Sequence, residues 1–129
     1  MSGMILKTRH FHRWAKKAGL SDRALFHAVI EMTNGLIDAD LGGGIVKKRV
    51  ALPGHGKRGS TRTLLATNRN DRWIFVFGFE KNDQANVTEK ELDALKLLAG
   101  DLLALSVEQI AEAVNSGHLL EVANETRES

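Results

Sequence analysis

The chain contains no cysteine, which excludes a disulfide framework and any thiolate-bound metal. It contains no tyrosine either, so no phenol can serve it as an acid or a base. No apolar run approaches the roughly 20 residues that a membrane span needs. The opening stretch, residues 1–7, lacks both the apolar segment and the small-residue cleavage site of a secretory signal. No internal repeat and no low-complexity tract is visible in the 129 residues. These absences predict a soluble, cytoplasmic chain that forms a single domain over 1–129, long enough to bury one core. With 43% hydrophobic and 26% charged residues, the composition is that of a globular protein rather than a disordered one.

What the sequence does have is a displaced charge. Residues 1–44 carry six Lys/Arg against four Asp/Glu, and residues 82–129 carry three against ten. Between them, residues 45–81 carry nine cations (Lys47, Lys48, Arg49, Lys57, Arg58, Arg62, Arg69, Arg72 and Lys81) against Asp71 and Glu80 alone. Ordinary surfaces intersperse the two signs. A balance of +7 followed by one of −7 marks a face built for a polyanion, with RNA the foremost candidate, and an acidic element elsewhere.

The hydrophobic spacing places this segment in an α+β fold. Phe11, Trp14, Ala15 and Ala18 form a helical stripe stopped by Gly19, and Ser21 caps a second helix that ends at Asn34-Gly35. Residues 5–8 read as a short strand, and the glycine-rich stretch 35–44 reads as a loop. Three strands follow, over 45–52, 61–67 and 72–81, the last two joined by a turn at 68–71. Trp73, Phe75, Phe77 and Phe79 alternate onto one face of the third strand, with Ile74 and Val76 on the other. Capping boxes at Thr88/Glu91 and Ser106/Gln109 open two late helices. The expected order is β-α-α-β-β-β-α-α, with helices packed on an antiparallel sheet.

The loop Gly54-His55-Gly56-Lys57-Arg58-Gly59 matches GxGxxG, but it runs from strand to strand, whereas a dinucleotide fingerprint runs from strand into helix. It also departs from the phosphate-binding loop of nucleoside triphosphatases, because Arg58 follows Lys57 where Ser or Thr is needed. Its glycines instead let backbone amides and two cations approach a phosphate. Strand parity puts Lys47 and Arg49 on one face, with Arg62 across from them on the next strand and Lys81 at the end of the third. Lys48 points the other way. RNA cleavage needs a base for the 2′-hydroxyl, positive charge for the phosphorane and an acid for the leaving oxygen. His55 is the acid–base candidate of this segment. His10 and His12, two residues apart, share no helical face and make no metal site.

Three stretches together resemble the RelE/HigB group of toxins from type II toxin–antitoxin systems. They are Ile45-Val46-Lys47-Lys48-Arg49-Val50, Gly54 to Arg62, and Phe77-Gly78-Phe79-Glu80-Lys81-Asn82-Asp83, with the helix opening at Thr88 to Leu92 as a fourth point of likeness. The similarity covers roughly 41–103, leaving 107–129 as a C-terminal helical extension. It implies a RelE-like fold and a bacterial or phage mRNA endonuclease that cuts messenger RNA on the ribosome. The cut would use the 2′-hydroxyl as nucleophile and require neither a metal nor any other cofactor. It further implies a cognate antitoxin, of helix-turn-helix type, as partner. Lys47, Arg49, Arg62 and Lys81 match the group's basic active-site positions, and Lys57 and Arg58 its phosphate-facing loop; Lys48 is counted with the RNA-binding residues. Relatives that carry a catalytic tyrosine have no counterpart here, which leaves His55 or a lysine for proton transfer. Two other readings use the same scaffold: a ParE-like toxin that binds DNA gyrase, and a non-catalytic nucleic-acid-binding relative.

Overall fold

The computed structural model describes residues 3–52 and 60–122. Strand β1 (Met4–Thr8) leads into helices α1 (Arg9–Ala18) and α2 (Asp22–Thr33). Strands β2 (Ala39–Gly42), β3 (Ile45–Ala51), β4 (Ser60–Thr67) and β5 (Arg72–Glu80) follow, then α3 (Glu89–Ala104), α4 (Val107–Ser116) and a short β6 (Leu119–Glu121). The α+β class with helices on a sheet is as expected. The sheet has six strands in the order β2-β3-β4-β5-β1-β6. It is mixed rather than wholly antiparallel, because β1 runs parallel to β5 while β6 closes antiparallel on β1.

Local chemistry sets most boundaries. Ser21 accepts from the Ala24 N–H, and Thr88/Glu91 and Ser106/Gln109 form complete capping boxes. Gly19 and Gly117 adopt the left-handed conformation that ends α1 and α4. The β4–β5 turn is held by Asn68, whose Oδ1 accepts from the N–H groups of Asn70, Asp71 and Arg72. The stretch read as a loop contains β2, whose hairpin to β3 turns on Gly42, Gly43 and Gly44, all at positive φ.

Two cores sandwich the sheet. On one face Phe11, Ala15, Leu25 and Val29 from α1 and α2 pack on Val46, Leu65, Trp73 and Phe75. On the other, Leu95, Ala99 and Leu102 of α3 and Ile110 of α4 pack on Leu6, Ile45, Leu64, Ala66, Ile74 and Val76. Burial on both faces explains the continuous apolar runs of β4 and β5. Val122 donates its N–H to the Ile5 carbonyl and is buried in the first core, so residues 119–122 are built into the same fold.

Three of the nine cations of 45–81 are taken up by the scaffold. Lys48 is 7% exposed on the α2 face, where its Nζ meets the Glu31 carboxylate at 2.8 Å and the Leu36 carbonyl at 2.9 Å. Arg69 pairs with Asp40 at 2.8 Å. Arg72 lies buried under α3, its guanidinium donating to the carbonyls of Leu102, Leu103 and Leu105 at 3.0, 3.2 and 2.8 Å. It thereby brings a charged donor to the carbonyls at the end of α3, of which that of Leu102 also accepts the Leu105 N–H.

Candidate nucleic-acid interface

The strand register brings together Lys47, Arg49 and Arg62. Arg49 of β3 lies directly opposite Arg62 of β4, and Arg62 lies opposite Phe79 of β5. One row back, Lys47 faces Leu64, and Leu64 faces Phe77. Side chains two apart along a strand share a face, so Lys47, Arg49 and Arg62 stand on the α3 side of the sheet. They begin where the apolar cover of Ile45, Leu64 and Ala66 runs out. Arg49 is exposed and Lys47 and Arg62 are half-buried. Lys81, exposed in the turn after β5, sits two residues beyond Phe79 at the same end of the sheet.

Among the described residues, none of Lys47, Arg49, Arg62 and Lys81 forms an ion pair. Glu80, the acid nearest along β5, lies opposite Thr61 and so points to the other face. Asp38 approaches β3, but its carboxylate accepts the Arg49 backbone N–H. Like charges directly across a strand pair oppose folding, and among the described residues neither the Arg49 nor the Arg62 guanidinium is offset by an ion pair. An anion would offset them.

The aromatic residues beside the cations are where the structure departs from the sequence reading. Leu64 pairs with Phe77 but the next residue, Leu65, pairs with Phe75, so Val76 is the extra residue of a β-bulge. The bulge reverses the alternation. Trp73 and Phe75 pack in the α1/α2 core, whereas Phe77 packs against the α3/α4 core and touches Phe79, with ring centroids 6.2 Å apart. Phe77 and Phe79 thus share the face of the cations rather than that of Trp73. His10, read from the sequence only as an unlikely metal ligand, has its imidazole parallel to the Phe77 ring, 6.3 Å between centroids and 10° between planes. Only the pairing partner of each residue could have revealed this.

The loop candidates His55, Lys57 and Arg58 lie outside the described residues. Lys48, counted with the RNA-binding residues, is separated from the others by the sheet and engaged with Glu31. On that same α1/α2 side a buried Lys7 meets Asp22 at the start of α2. His12 lies near this pair, and burial and then the Lys7 charge push its pKa below the ordinary histidine value. No local pattern announces this cluster, because Lys7 and Asp22 are 15 residues apart. Among the described residues no three His, Asp or Glu side chains are grouped to hold a metal ion, and no helix is long and apolar enough to cross a membrane.

Comparison with known proteins agrees with this architecture. No curated protein matches the chain. A family model does, over residues 4–122, and its description is the RelE toxin of the RelE/RelB toxin–antitoxin system. The match extends well past 41–103, taking in β1, α1, α2, α4 and β6. The chain therefore belongs to the RelE toxin family, the toxin half of a toxin–antitoxin pair.

Proposed function

We propose that the protein is a ribosome-dependent mRNA endonuclease held in check by a cognate antitoxin, and that Lys47, Arg49, Arg62 and Lys81 surround the phosphate that is cut. The observation that carries this reading is the facing pair Arg49 and Arg62, cross-strand neighbours neither of which forms an ion pair among the described residues. Such a pair costs stability in the free protein and repays it only when an anion sits between the guanidiniums.

The chemistry asks little more than charge in the right place. The 2′-oxygen, on losing its proton, attacks the adjacent phosphorus. The 5′-oxygen of the next nucleotide leaves with a proton, and a 2′,3′-cyclic phosphate remains. Arginines at the phosphate stabilise the phosphorane, whose extra negative charge exists only along the reaction path. Proton transfer falls to His55 or to a lysine of the cluster. Lys57 and Arg58 hold the flanking backbone. The antitoxin, of helix-turn-helix type, would act by covering this face.

Inducing the protein in growing cells and mapping mRNA 5′ ends tests the reading. Cuts in phase with codons are expected. Damaged DNA with intact mRNA would instead indicate a gyrase-directed toxin, and neither effect would reduce the protein to a nucleic-acid-binding relative.

A further inference from the structure

We propose that His10 and Phe77 form a nucleobase-stacking subsite beside the cationic rows, so that the protein grips a base of the RNA as well as its phosphate. The inference rests on the RNA-directed reading of the cationic face. It comes from the bulge at Val76, which turns Phe77 and Phe79 onto that face. Phe79 lies directly across from Arg62, and Phe77 lies diagonal to it, about 7–8 Å away between Cα atoms. A phosphate held by Arg62 therefore leaves its own or the adjoining base within reach of Phe77.

Helix α1 rather than a strand borders Phe77 on the β1 side of β5. The β1–β5 pairing ends at Lys7 and Phe75, so at Phe77 strand β5 is paired on its β4 side alone. The chain turns instead into α1, with Thr8 accepting the Phe11 N–H as its N-cap. His10 occupies the first turn of that helix. Trp14, one turn on and on the same side of the helix, fixes the helix against β5. Its ring lies so close to Gly78 that a Cβ there would come within 2.3 Å of it. The aromatic surface is graded: Phe79 is 3% exposed, Phe77 half-buried and His10 exposed. Phe79 anchors, and Phe77 with His10 remains open to a ligand. Cations that track a backbone next to exposed aromatic planes are the arrangement by which single strands are bound, since every base offers a π-face.

The test uses full-length protein and ribosomes programmed with a fluorescent mRNA whose exposed codon is 2′-O-methylated, the blocked nucleophile preventing cleavage. Affinity is read from the fluorescence for intact RNA and for RNAs with one abasic position moved along that codon. Wild type is expected to lose about 5- to 100-fold in affinity at one abasic position, the worth of a stacked base. His10→Ala and Phe77→Leu should lose a similar factor on intact RNA and little more when that base is missing. Phe77→Leu keeps apolar bulk at the edge of the core, so a merely structural role would leave binding unchanged. If either variant binds intact RNA as wild type does, or both retain the full abasic penalty, the stacking subsite is overturned. Arg62→Gln separates this from the underlying reading. Weakened binding in Arg62→Gln with an abasic penalty indifferent to His10 and Phe77 sinks the subsite alone. Arg62→Gln binding as tightly as wild type, or wild type binding no programmed ribosome, sinks both.

Discussion

Replacing Arg62 by glutamine should make the protein more stable and non-toxic at once. Arg62 is half-buried, and glutamine keeps much of its stem while removing the charge that faces Arg49 across the β3–β4 pair. Guanidiniums about 7 Å apart in a largely aqueous dielectric repel by roughly 0.5–1 kcal/mol, an effect that salt screens. For a domain of this size, relief of that repulsion raises the thermal midpoint by about 2–6 °C. Toxicity should fall at least about 100-fold, the usual loss when a group that stabilises transition-state charge is removed. The assay is thermal unfolding of both proteins at low salt, at high salt and with added inorganic phosphate. Wild type should gain more from phosphate than the variant, because it binds the anion in the folded state only, and high salt should narrow the gap between them. A variant less stable than wild type at low salt, or one equally responsive to phosphate, refutes the idea that Arg49 and Arg62 form an anion site. Full toxicity retained in both Arg62→Ala and Lys81→Ala would refute the catalytic assignment.

Three further outcomes concern the scaffold. Arg72→Met should cost about 2–4 kcal/mol in urea unfolding, because the carbonyls of Leu102, Leu103 and Leu105 lose a charged donor; an unchanged midpoint would show that water replaces the guanidinium. Gly78→Ala should destabilise by about 1–3 kcal/mol, since the new Cβ meets the Trp14 ring, and Trp14→Leu in the same chain should restore part of the loss. Stability should fall as pH drops from about 7 towards 5. The unfolded chain binds a proton at His12 more readily than the folded protein, whose His12 is held below the ordinary value by burial and Lys7. His12→Gln should flatten that part of the profile, and a profile unchanged by the substitution would remove His12 as its source.

The parts of the fold that were legible in the sequence are those fixed within a few residues. Ser21, Thr88/Glu91 and Ser106/Gln109 start helices by bonding to their own first turns, and Gly19 and Gly117 end them by a conformation other residues resist. The parallel pairing of β1 with β5 joins residues 4–7 to 72–75, and no local pattern encodes a partner so far away. Strand β6 is three residues long, too short for alternation to register. Strand β2 was hidden by the glycines of its own hairpin, which read as loop when counted and as a turn only when the φ angles are known.

The cationic site divides along the same line. Parity alone separates Lys47 and Arg49 from Lys48, and the structure puts Lys48 against Glu31 on the far face. Parity fails at β5, where a single inserted residue carries Phe77 and Phe79 from the face of Trp73 to the face of Arg62. Without the bulge, the cations would border an apolar β5 whose aromatic residues were all committed to the α1/α2 core. With it, β5 serves two masters: Trp73 and Phe75 hold the helices that position His10, and Phe77 and Phe79 floor the site. A bulge costs ladder hydrogen bonds and local twist. Its placement next to the Leu64–Phe77 pair, rather than at a strand end where it would be cheaper, ties that cost to the cationic face.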